Sequence, residues 1–271
     1  MKFFTSARAV GFTTLVLASA AFAPPAKRVA GITFDAVTTS TVPVMGAGSG
    51  GVIAITMHGI AASDGATRMD VGDVQLPAGI PSLYAVGDYL LQADGHFVLV
   101  HPSSKTYVDM IDQASAALKN LPPQMLAEMT VTDIKGETTK LDDGEVIEGR
   151  ATEHYRTIMS YTMAIMGQTL PSKVTTDYWV AKLPVKFSTP FTSSALPALA
   201  SGPMGELMKK RAELTPAMGD GVPVKMVMAT ESQMMGQSML QTVTSEIKNV
   251  KEGDIDASKF AIPTGYTKSA K

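Results

Sequence analysis

Most of this chain alternates. In the run GVIAITMH, Ile53, Ile55 and Met57 share one side while Ala54, Thr56 and His58 share the other. In GATRMDV, Thr67, Met69 and Val71 oppose Arg68 and Asp70. A side-chain period of two belongs to a strand with one buried face and cannot be satisfied by a helix. The same pattern predicts strands over residues 29–37, 82–93, 97–100, 130–141, 145–163, 174–181, 222–230 and 239–250. Asp94-Gly95 is read as one hairpin turn and Asp142-Asp143-Gly144 as another.

Helical signals are few. The run IDQASAAL, residues 111–118, is helix-like and stops before Pro122-Pro123, with a possible short restart over 123–129. Ser201-Gly202-Pro203 leads into MGELMKKRAEL, where Met204, Leu207, Met208 and Arg211 follow helical spacing. Residues 187–202 are rich in Pro, Ser, Thr and Ala and read as loop. Strands, a little helix, strands, helix and strands again imply an antiparallel sheet with helices on one side.

The run GAGSGG matches G-x-G-x-x-G at Gly46, Gly48 and Gly51, and Asp70 lies 19 residues past the last glycine. A dinucleotide site needs a helix opening at those glycines, because the free N–H groups of the helix hold the pyrophosphate. Here VIAITMH follows, which is β-branched and alternating, and Pro43 precedes. The glycines are therefore expected to join the first two strands, with no nucleotide.

With 271 residues, 45% of them hydrophobic, the chain can bury a sizeable core. Its formal net charge is -2, which offers no basic field for nucleic acid. There are no cysteines, so disulfides, thiolate metal sites and a cysteine nucleophile are excluded. The N-terminus reads as a secretory signal over residues 1–23. Lys2 and Arg8 precede the apolar VGFTTLVL, and small-x-small patterns end at Ala20 and Ala23. Without it the charge is 21 basic against 25 acidic residues. The expected product is periplasmic or secreted, with no transmembrane helix after cleavage.

The chemistry-bearing residues do not form a motif. The four histidines, His58, His96, His101 and His154, show no metal-ligand spacing. On a strand His154 shares a polar face with Glu148, Arg150, Thr152 and Arg156. The opposite face, with Ala151, Glu153, Tyr155, Met159, Tyr161 and Met163, is mostly apolar. No G-x-S-x-G elbow occurs. The 18 methionines concentrate late in the chain. Methionine suits irregular apolar partners; Met234, Met235 and Met239 could alternatively supply three sulfurs to Cu(I). Met204, Leu207, Met208, Met226 and Met228 are the candidate apolar ligand contacts. No cofactor, metal or catalytic residue is assigned.

The pieces DGATRMDV, the G-x-x-T-E-H-Y-R run at 149–156 and the terminal Phe260, Pro263, Gly265 and Tyr266 carry a resemblance. In order of elements the chain, over residues 29–267, resembles an uncharacterised exported bacterial family allied to the LolA/LolB-like outer-membrane lipoprotein-sorting proteins. That resemblance implies a mainly β (α+β) fold in one domain. It would be a strongly curved antiparallel sheet or incomplete barrel, with short helices, at 111–129 and 204–214, covering its concave face. It also implies a cavity for acyl chains, and so a soluble, non-enzymatic carrier of a lipid or lipid-modified ligand. An envelope hydrolase and a structural or interaction module without small ligand are the alternatives.

Overall fold

The computed structural model describes residues 27–42, 51–80, 82–93, 96–120, 122, 128–165, 167–187, 205–214, 221–234 and 237–269. The signal-like segment 1–23, Gly46, Gly48, Asp94-Gly95 and Met204 lie outside these residues.

The period-two runs become twelve strands of one sheet: β1 (Arg28–Val42), β2 (Gly51–Ala62), β3 (Thr67–Gln75), β4 (Tyr89–Ala93), β5 (His96–His101), β6 (Thr106–Asp109), β7 (Thr130–Ile147), β8 (Arg150–Ile165), β9 (Gln168–Lys182), β10 (Gly221–Met234), β11 (Gln237–Asp256) and β12 (Thr267–Lys268). Their spatial order is β12-β6-β5-β4-β3-β2-β1-β11-β10-β9-β8-β7. Two meanders, β1 to β6 and β7 to β11, are joined where β1 pairs with β11. All pairings are antiparallel except β12 with β6. The two ends of this order do not pair, so the sheet is curved and unclosed. Helix α1 (Met110–Lys119) follows β6, and the chain then crosses to the far edge at β7. Asp109 caps α1, its Oδ1 accepting from the amides of Ile111 at 2.9 Å and Asp112 at 3.3 Å. Helix α2 (Gly205–Leu214) lies between β9 and β10 in sequence.

The inner face holds the main core. Ile32, Phe34 and Ala36 of β1 pack with Met57 and Ala61 of β2, Met69 and Val71 of β3, Leu90, Leu99, Val222, Val224 and Ile247. Leu183, Val185 and Phe187 continue from β9 into the same core, and the Phe187 ring stacks on Phe34 at 4.7 Å. Strand β9 is three places from β1 in the sheet, so this segment crosses the inner face as a strap. Gly59 is opposite Phe34 in the ladder, and a β-carbon there would overlap the Phe34 ring. The other face of β4 and β5 carries Tyr89, Leu91 and Val100, covered by Phe260, Ile262 and Tyr266 of the C-terminal segment.

Two readings change. Strand β4 begins only at Tyr89; residues 82–88 form a turn-rich segment held by buried Asp88, whose carboxylate accepts from the Ala85 amide and faces His101 Nδ1 at 3.0 Å. The β7–β8 hairpin turns at Glu148-Gly149, not at Asp142-Asp143-Gly144. Glu148 and Gly149 have φ of 50° and 74°, the consecutive left-handed pair that a tight hairpin turn requires. The earlier site is a pair of register shifts within β7. The short β6 and the two-residue β12 have too few residues to show a period. At Gly51 a strand begins, and β1 and β2 are antiparallel, so the glycine run opens no helix there.

Candidate functional site

The ladder register lines up a continuous set of side chains across β7 to β11. Thr138 opposes Thr157, Thr157 opposes Thr176, Thr176 opposes Met228, and Met228 opposes Val243. The rung on one side runs Tyr155, Tyr178, Met226, Ser245 and Thr38. The rung on the other runs Gly136, Met159, Val174 and Thr230. Ser245 and Ile247 are two apart on β11, as are Thr38 and Ala36 on β1. These rungs therefore extend the inner face that carries the core.

Helix α2 packs on this face. Leu207 and Leu214 are 4% and 9% exposed and contact Met159, Val131, Ile134, Tyr161 and Val174. Leu214 sits over Gly136, where a β-carbon would overlap its Cδ1. The helix end is also held by polar contacts. The Leu214 carbonyl, one of the acceptors that a helix C-terminus leaves unpaired, accepts from the hydroxyls of Thr138 and, at 3.4 Å, Thr157. These two hydroxyls are 2.9 Å apart. The space remaining beneath α2 is about 10 Å³, lined by Thr157, Met159, Val174, Thr176, Tyr178, Arg211 and Leu214. That is room for no more than about one water. Burial pushes the Tyr178 hydroxyl above its usual pKa, and the Arg211 charge opposes that push.

The candidate contacts are distributed over this region. Leu207 is the buried anchor of α2, and Met208 beside it is half-buried. Met226 is buried in a neighbouring cluster with Tyr178, Val180 and Tyr155, and Met228 is half-buried on the next rung. Leu207 and the two strand methionines thus share a face but not one pocket. The structure adds Arg211, Leu214, Gly136 and the Thr138–Thr157 pair. The helical spacing had already placed Arg211 on the stripe with Leu207. The threonines meet only through strand register, which no local pattern shows.

Two larger hollows among the described residues are open. One, of about 490 Å³, lies at the ends of β9 to β11 between Lys173, Glu231, Ser232, Met239 and Leu240. The other, of about 280 Å³, surrounds Asp35 and His58. Among the described residues no three of His, Cys, Asp or Glu form a metal-holding group, and no helix is long and apolar enough to cross a membrane. Met235 and the Met234 side chain lie outside the described residues.

His154 lies on the polar face. Its Nε2 is 2.8 Å from Asp177 Oδ1, and its ring stacks on Trp179 at 4.5 Å. Arg156 Nε donates to the same carboxylate at 2.9 Å, and Lys225 Nζ lies 4.5 Å from the centre of the other side of the Trp179 ring.

No family model matches the chain, and no curated protein matches it. Three solved structures are similar in extent. The first is a LolA superfamily protein, NE2245, from Nitrosomonas europaea: 7% identity, TM-score 0.30, 85% of this chain and 90% of that one. The second is a putative outer membrane lipoprotein-sorting protein domain from Vibrio parahaemolyticus: 7% identity, TM-score 0.28, 82% of this chain and 85% of that one. The third is lipovitellin, solved for its lipid–protein interactions: 10% identity, TM-score 0.28, 83% of this chain and 25% of that one.

Proposed function

We propose that this is an exported binding protein that holds an apolar chain, from a lipid or a lipid-modified ligand, between α2 and the inner face of β7 to β10. The observation that carries the reading is the way α2 is held. A ten-residue helix covers an apolar face through two buried leucines and one shared carbonyl. On the neighbouring rung Met228 is half-buried on the same face.

The energies favour exchange of α2 for a ligand. Fully exposing two leucines costs about 3–6 kcal/mol, and the threonine contacts add about 1 kcal/mol. An acyl chain regains about 0.8 kcal/mol per buried methylene, so roughly five to nine methylenes offset the loss of α2, and a longer chain exceeds it. The 10 Å³ now beneath α2 means that the helix must lift for a chain to enter.

Native mass spectrometry of the mature protein, purified from its own cell envelope without detergent, tests this. A bound mass that extracts into organic solvent is expected. A clean apo mass, together with no binding of added dodecanol, overturns the reading.

The hydrolase reading has one observation in its favour, the His154–Asp177 contact between strands. However, Arg156 shares that carboxylate and Trp179 covers the imidazole face, an arrangement suited to a structural ion pair.

A further inference from the structure

Among the described residues the large apolar side chains left exposed gather at one end of the sheet. Ile80, Leu83 and Val86 are 40%, 50% and 67% exposed on the loop between β3 and β4. Val52, 57% exposed, begins β2 beside that loop, where Pro77 leaves no room for a β-carbon on Gly51. Leu240 is exposed near the start of β11, at the same rim, because β1 ends there against both β2 and β11. The open hollow of about 490 Å³ beside Met239 and Leu240 lies at this rim too. The two remaining exposed side chains of this kind, Leu141 and Val146, stand on β7 toward the opposite end. The loop is built to present its apolar groups. Tyr84 packs inward on the main core. From Val74 to Gly87 the sequence holds no charged residue. Much of the backbone is already paired: the amides of Ile80, Gly87 and Asp88 donate to the carbonyls of Pro77, Val71 and Ala85 at 3.0–3.2 Å. The Tyr84 amide donates to the Ser82 hydroxyl at 3.1 Å, and the Ala85 amide to the Asp88 carboxylate at 2.9 Å. Apolar side chains on a backbone that takes few hydrogen bonds from water enter an apolar medium at little cost. A protein partner would be met by anchors such as Arg, Trp or Tyr, and none is among the loop's exposed residues.

We propose that this rim is a docking surface for a lipid bilayer, with Ile80, Leu83 and Val86 entering the boundary between head groups and acyl chains and with Val52 and Leu240 resting against it. The choice of a bilayer rests on the carrier reading, since a carried apolar chain leaves or enters a membrane. With no charge on the loop, the attachment is apolar. It therefore needs no anionic lipid and withstands salt.

The test is flotation of the mature chain with vesicles of phosphatidylcholine, alone or with added phosphatidylglycerol, at low and high salt. The native chain is expected to float with both, at either salt. The double variant Leu83→Ser, Val86→Ser should partition about tenfold or more weakly, because each side chain contributes through the apolar area it buries. The control Leu141→Ser, Val146→Ser removes apolar area at the other end and should float like the native chain. All four side chains are exposed, so an unchanged urea midpoint should show that each variant is folded. A native chain that stays in solution with both vesicles overturns the docking surface. So does flotation that survives in the Leu83 and Val86 variant, or that is lost equally in the control. Flotation that requires phosphatidylglycerol and vanishes at high salt overturns it too, since charge would then hold the chain. Dodecanol binding in solution reports on the carrier site separately. Dodecanol binding without flotation removes the docking surface and leaves the carrier reading standing; flotation without dodecanol binding does the reverse.

Discussion

The side-chain oxygens of Thr138 and Thr157 stand 2.9 Å apart on neighbouring strands, and both hydroxyls point at the carbonyl that ends α2. They are the polar part of an otherwise apolar contact, and they fix where the helix stops on the sheet.

Replacing both with valine should loosen α2 selectively. Each hydrogen bond is worth about 1 kcal/mol net, and because the two share one acceptor the losses should not add. Hydrogen exchange of residues 205–214 should accelerate about tenfold in the double variant, with β1 to β5 unchanged. Equal acceleration everywhere would show that the pair supports the whole fold.

Gly136→Ala should displace the helix from the other side. The added β-carbon overlaps Leu214 Cδ1, and overpacking of this kind costs about 1–3 kcal/mol. Combining it with Leu214→Ala should recover part of the midpoint lost by the glycine variant. A denaturant series on the two single variants and the double measures this coupling.

Phe187→Ala should destabilise the whole sheet by about 3–5 kcal/mol, because it removes the ring stacked on Phe34 and leaves a cavity in the main core. The change should appear as a lower urea midpoint with an unchanged slope.

Asp35 provides a pH test. Hydrogen bonds from Asn249 and His58 hold its carboxyl below the usual value of 3.8. A carboxyl lowered by folding stabilises the native state above its unfolded pKa, and that contribution is lost as pH falls through the folded value. The acid limb of the stability curve should therefore be shallower in Asn249→Ala, which removes the largest cause. The effect should be small, since the side chain is partly open to solvent. Thermal melts between pH 2 and pH 5, values set about the usual carboxylate range, compare the two. Identical slopes would exclude the contribution.

Local pattern reached far into this fold because an antiparallel strand records its buried face at every second residue. Ile53, Ile55 and Met57 announced β2, and Met159, Tyr161 and Met163 announced the inner side of β8. It failed where the chain reverses. At residues 142–144 an Asp-Asp-Gly run looks like a turn, yet the backbone turns at Glu148-Gly149, where β8 begins its pairing with β7. It failed also at 82–88, where one buried carboxylate, Asp88, outweighs the local alternation.

The sequence by itself determined a mainly β chain with two principal helical segments, a stripe on α2 that runs through Leu207 and Arg211, and the polar and apolar sides of β8. Each follows from a period of two or of about 3.6 within a single segment. Only the tertiary structure decided that Leu214 would fill the notch at Gly136, that Thr138 and Thr157 would meet its carbonyl, and that Phe187 would reach Phe34. Those contacts join residues separated by tens to more than a hundred positions. They depend on strand register and on how the curved sheet brings its strands together, and no short segment encodes either.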